Sequence, residues 1–182
     1  MAELAPQDDA PVRFTGVGAV LEKLSLAFAM AGGLVFVALI AMSIVSIVGR
    51  KLANAPVQGD IELMQMGAAV GAATFLPICE LFDHHIKVDA LTGRMSQLGR
   101  DLLDTLAHGL LFVAAALMTW RTALAAIDTH SGGEMSTLLL IPQWIPVALL
   151  VPSLALFACC AVYRIGLCVR KLGSSEATSS AA

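Results

Sequence analysis

Charge is scarce in this chain. Of its 182 residues only 14% are Asp, Glu, Lys or Arg, where a typical soluble domain has about a quarter. With 58% hydrophobic residues and a mean hydropathy of +0.81, there is too little polar surface to cover a water-soluble core, so the composition points to a membrane protein. The formal net charge of −3 provides no basic surface for a nucleic-acid partner. Cysteine is sparse as well. Cys79, Cys159, Cys160 and Cys168 have neither zinc-finger nor redox C-x-x-C spacing, and three of them fall in apolar runs. They read as small apolar side chains rather than a disulfide framework. No GxxxxGK[ST], HExxH or GxSxG occurs, which removes the P-loop, zinc-protease and serine-hydrolase chemistries. No polar segment is long enough for a ligand-binding domain. The expectation is a non-enzymatic protein with no cofactor and no metal.

What is abundant is long uncharged runs. Leu24–Val48, Leu63–Cys79, Leu102–Trp120 (broken by Asp104 and His108) and Leu138–Tyr163 each approach or exceed the length that crosses bilayer hydrocarbon. They predict an all-α integral membrane bundle of four transmembrane helices, with spans at about 24–48, 61–80, 102–121 and 138–163. Residues 1–12 are polar and acidic with Pro6 and Pro11, the pattern of a disordered tail and not of a signal peptide. Residues 13–172 form the membrane domain. Phe14, Val17, Leu21 and Leu24 suggest an amphipathic lead-in. Leu91, Met95, Leu98 and Leu102 suggest a short interfacial helix within the polar stretch 81–100. Asp128–Glu134 reads as a turn, Ser136 as the cap of the fourth helix, and 173–182 as a flexible tail.

The second span carries the densest pattern. Glu62 and Glu80 stand eighteen residues apart, about 27 Å and five turns of helix, so both carboxylates lie on one face. Between them Gly67 and Gly71 form GxxxG, and Ala69 and Ala73 repeat the small-xxx-small spacing. Small residues let helix backbones approach closely. Either the bundle's own helices or a partner subunit could occupy that surface.

Basic residues set the expected orientation. Arg13, Lys23, Lys87, Arg94, Arg100, Arg164, Arg170 and Lys171 would share one side. Arg50, Lys51 and Arg121 would share the other. The split is 8 against 3, which sums to the 11 basic residues present. Both termini are therefore expected in the cytoplasm, with Trp120 and Trp144 at the outer interface. Glu62 near Arg50 suggests a salt bridge between the first two helices, a more economical reading than ion transport. Glu80, His84, His85 and Asp89 hold two i,i+4 pairs, a ligand-like spacing that a solvated membrane-surface turn explains equally. Haem ligation has little support, because His108 alone lies within a span and His130 is expected at the opposite side.

Together these residues resemble the small membrane subunit of tripartite ATP-independent periplasmic (TRAP) transporters. Arg50 is followed by a turn with Pro56 and by Glu62 opening the second span. Gly71 leads to His85-Ile86-Lys87-Val88-Asp89, similar to the family's H-I-x-V-D. Gly133 and Ser136 precede Ile141-Pro142-Gln143-Trp144, with Pro152 further on. The turn after Arg50 departs from the pattern by lacking aromatic residues, and Glu80 and Asp83 make the stretch before His85 unusually acidic. The resemblance implies a subunit of the bacterial inner membrane. It would brace a large membrane subunit that performs sodium-driven uptake of an organic acid delivered by a periplasmic binding protein. The structural or interface residues it points to are Arg50, Glu62, Gly67, Gly71, His85, Asp89, Pro142 and Trp144. A haem- or quinone-associated anchor and a self-contained small exporter are the alternatives.

Overall fold

The computed structural model describes residues 16–53, 58–82 and 97–179. They form four helices: α1 Val17–Ala53, α2 Asp60–Leu81, α3 Gln97–Gly132 and α4 Trp144–Ser179. Each contains a stretch long and apolar enough to cross a membrane. The α2 helix, with 22 residues, is about 33 Å long and matches the roughly 30 Å of bilayer hydrocarbon. The other three have 36 or 37 residues, about 54 Å or more, and must tilt or project beyond the bilayer.

The helices outrun the spans expected from composition because uncharged runs mark membrane contact, not the end of helical geometry. The first helix absorbs the lead-in from Val17 without a break. The third starts at Gln97 and so takes in Leu98 and Leu102 of the expected interfacial helix; residues 83–96 lie outside those described. The predicted turn at Asp128–Glu134 is helical as far as Gly132. Its stop signal is Gly133, held at φ 63. The Gly133 N–H donates to the His130 carbonyl at 3.3 Å and the Glu134 N–H to the Thr129 carbonyl at 3.4 Å, the paired bonds of a Schellman ending. The fourth helix begins at Trp144 and not at 138, because Pro142 has no N–H to donate and biases Ile141 away from helical geometry. Pro146 falls in the first turn, where an N–H would lack an intrahelical acceptor anyway. Residues 173–179, expected as a flexible tail, continue α4.

Packing is extensive between α3 and α4, between α1 and α2, and between α2 and α4, with a small contact between α1 and α4. The helices therefore lie in the order α1, α2, α4, α3. Antiparallel α1 and α2 close on their small residues. A Cβ added at Gly71 would lie 2.9 Å from the Phe36 ring, one at Gly67 would lie 2.9 Å from Leu39 Cδ1, and one at Gly32 would collide with the Thr74 hydroxyl. Phe36 and Phe75 stack with ring centroids 6.1 Å apart. The GxxxG surface of α2 is thus occupied by α1 of the same chain.

Pro77 explains how α2 meets α4. Lacking an N–H, it leaves the Ala73 carbonyl without its partner four residues on. Ser153 of α4 supplies that donor, its hydroxyl 2.5 Å from the Ala73 oxygen, and Ser153 is fully buried. In hydrocarbon no water could take this role. Ser153→Ala is expected to destabilise the folded chain by about 1–3 kcal/mol, the cost of a buried acceptor left unmet. In a Pro77→Ala background the restored N–H fills the same carbonyl, so the serine substitution becomes nearly neutral. Thermal unfolding of the four members of this cycle in detergent measures the coupling; additive effects would contradict it.

Candidate functional site

The carboxylates of α2 stand at its two ends, Asp60 and Glu62 at one and Glu80 at the other. At the end shared by the α1–α2 and α3–α4 connections, Gly59 at φ 77 turns the chain into α2. Its carbonyl accepts the Leu63 N–H at 3.0 Å, the first bond of the helix. A Cβ at Gly59 would lie 2.7 Å from Leu139 Cδ1, so only glycine admits the leucine as well as the left-handed turn. Asp60 and Glu62 fall in the first turn of α2, where the helix dipole favours negative charge.

The two carboxylates have different partners. Asp60 accepts the Ser46 hydroxyl at 2.5 Å and its neighbour Ile61 N–H at 2.8 Å, and lies 3.6 Å from the Arg50 guanidinium. Arg50 is therefore joined to Asp60, not to Glu62 as the spacing suggested. Helix geometry decides this, since Asp60 is the residue of α2 that reaches Ser46 and Arg50 on α1. The Arg50 side chain is 62% exposed, so the pair contributes little by itself. Glu62 turns toward the α3–α4 connection. It accepts the hydroxyls of Ser136 and, at 2.8 Å, of Thr137, and the backbone N–H groups of Leu138 at 3.1 Å and Leu139 at 3.3 Å. Ser136, expected to cap the fourth helix, instead donates to this carboxylate.

The connection so held is compact. Met135 and Pro142 form an antiparallel bridge. The Ser136 N–H meets the Ile141 carbonyl at 2.9 Å and the Gln143 N–H meets the Glu134 carbonyl at 3.0 Å. Leu140 sits at φ 53, a left-handed geometry that costs a non-glycine residue roughly 1–2 kcal/mol. Pro142 closes the loop, and Trp144 opens α4 with its ring 5.0 Å from that of His130 in an edge contact.

At the opposite end Glu80 of α2 and His108 of α3 face each other, His108 Nδ1 lying 2.7 Å from Glu80 Oε1. Their side chains are 0% and 4% exposed. This pair links two helices that otherwise share little surface, and Ser25 of α1 lies 3.6 Å from Cys160 Sγ of α4. The sequence flagged Glu80 and His108 separately without joining them. Their signal was the scarcity of ionisable residues in apolar runs, each of which needs a partner. His108 and His130 stand twenty-two residues apart on one helix, about 33 Å, too far to act as paired axial ligands to one haem. Among the described residues no group of three or more His, Cys, Asp or Glu is placed to hold a metal. His85 and Asp89 lie outside the described residues.

The clasp makes a specific expectation. Glu62→Gln keeps one acceptor oxygen and turns an amide toward groups that are themselves donors. Amide hydrogen exchange at Leu138 and Leu139 should accelerate several-fold. Arg50→Gln should leave both amides unchanged, since Arg50 acts through Asp60. Equal acceleration in the two variants would contradict the separate partners of the two carboxylates.

Comparison with known proteins agrees with this architecture. The family described as "Tripartite ATP-independent periplasmic transporters, DctQ component" matches residues 39–171, from the second half of α1 well into α4. No significant match was found among curated proteins or among solved structures. The chain belongs to the DctQ family, the small permease component of TRAP transporters.

Proposed function

We propose that this chain is a brace and not a carrier. It would hold the large membrane subunit of a bacterial inner-membrane transporter while that subunit moves an organic acid with sodium, the acid being delivered by a periplasmic binding protein. Family membership supports the transporter setting. The observation that carries the bracing role is where the polar groups of the bundle are spent. The hydroxyls of Thr74, Thr119 and Ser153 donate to the backbone carbonyls of Gly71, Ala115 and Ala73. Glu62 and Asp60 hold connections, and Glu80 holds His108. A carrier needs polar side chains or broken helices turned toward a hydrated cavity near mid-membrane. Two grooves among the described residues are instead open and apolar, one of 580 Å³ along Leu106, Gly109, Leu110 and Val113 and one of 460 Å³ between Leu21, Phe112, Ala158 and Val162.

A third groove suits contact with the large subunit. It measures 240 Å³ and lies between α2 and α4, lined by Gln65, Met66, Ala69, Gln143, Pro146 and Val147. Two carboxamides at a lipid-facing groove would be poorly satisfied by acyl chains, and a polar side chain on an incoming helix would meet them. The small Ala69 lets that helix approach. The 8 to 3 split of basic residues supports cytoplasmic termini and a periplasmic α3–α4 connection.

Reconstitution in liposomes under a sodium gradient tests the role. The purified chain alone should show no uptake of organic acid, and uptake should appear when the large subunit and the binding protein are added. Sodium-driven uptake by the chain alone would overturn the proposal. For orientation, Gly133→Cys and Ser174→Cys are each placed in a background lacking the four native cysteines. An impermeant thiol reagent applied to intact spheroplasts should label position 133 and spare 174; the reverse would invert the topology.

A further inference from the structure

We infer that the α3–α4 connection lies in the bilayer interface, with Leu138 and Leu140 inserted among the lipid headgroups and upper acyl chains. Three independent observations place it there. Depth is the first. The connection is bonded to Glu62 in the first turn of α2, and α2 is about as long as the hydrocarbon is thick. The loop therefore sits at the hydrocarbon boundary and does not stand above it.

The second observation is which way the side chains face. Leu139 turns inward onto Gly59. Leu138 and Leu140 turn outward and are 68% and 67% exposed, with Met135 beside them at 58%. On α4, Ile145 and Leu149 are exposed as well, at 39% and 54%. No charged residue occurs between Glu134 and Arg164.

The third is polar satisfaction of part of the loop, which lowers the cost that normally keeps irregular chain out of lipid. In this loop the N–H groups of Ser136 and Gln143 are bonded to carbonyls within it. Those of Leu138 and Leu139, and the hydroxyls of Ser136 and Thr137, are given to Glu62. Pro142 has no N–H to satisfy. The same bonds surround the carboxylate with donors, so its charge tolerates the partly dry interface. A loop built for water would have no need to internalise these donors while turning leucines outward, and leucine would be an unlikely choice for the left-handed position 140. The inference requires neither the bracing role nor a particular orientation, because it concerns only the leaflet nearest the loop.

The test uses the full chain with its four native cysteines replaced, in nanodiscs of phosphatidylethanolamine and phosphatidylglycerol. Leu138→Cys and Leu140→Cys are each labelled with an environment-sensitive nitrobenzoxadiazole, and Lys51→Cys serves as the exposed comparison. Emission from 138 and 140 should be blue-shifted and quenched several-fold more by lipids bearing a doxyl group near the headgroup than by aqueous iodide. The reporter at 51 should show the opposite preference. Adding Glu62→Gln should weaken lipid quenching at 138 several-fold; unchanged quenching would remove the clasp from the explanation. Preferential quenching of 138 and 140 by iodide would overturn the proposal. So would shielding that appears only when the large subunit or the binding protein is added, which would make the patch a protein-docking surface.

Discussion

A backbone carbonyl or N–H inside hydrocarbon must find a partner within the protein, because no water is there to accept or donate. Much of this chain's architecture follows from that requirement at a few positions where the helical ladder is interrupted. Pro77 opens the ladder of α2, and the only fully buried serine of α4 that reaches it, Ser153 among the described residues, closes the gap at 2.5 Å. Together with the packing around it, this bond joins α2 and α4 at one relative depth. Once that depth is set, Glu62 stands level with the α3–α4 connection and can take its donors.

The two glutamates of α2 then play related parts. Both face the α3–α4 hairpin from the same side of the helix, Glu62 at its connection and Glu80 at His108 of α3. Each satisfies groups that would otherwise be stranded at a membrane boundary. Between them α2 presents glycines and Thr74 to α1 and Ala73 to α4. The shortest helix of the four is therefore the one against which the others are positioned. Every helix is thereby tied to another by a specific polar bond as well as by apolar packing.

The acidic Glu80 at the end of an apolar run has a physical account. A buried carboxylate is tolerated when a hydrogen-bonding partner meets it, and His108 provides one at 2.7 Å. An acidic residue at this position and a histidine within the third span are thus parts of one arrangement.

The sequence by itself determined the class and the count of the spans. Scarce charge, long uncharged runs and small-residue spacing depend on solvation and on helical periodicity, both of which are local properties of the chain. It also placed Glu62 and Glu80 on one face, because five turns of helix allow nothing else. Pairing was another matter. Glu62 lies near Arg50 along the chain, yet Arg50 meets Asp60, since the rotation of α2 against α1 follows from how Gly67 and Gly71 seat against Leu39 and Phe36. Glu62 reaches residues more than seventy positions away, and Glu80 reaches His108 across a connection whose length says nothing of how far α3 slides along α2. Helix ends also escaped the hydropathy pattern, because hydropathy records what touches lipid while Gly133 and Pro142 decide where the ladder stops. Contacts between helices depend on relative rotation and depth, which only close packing of all four helices sets.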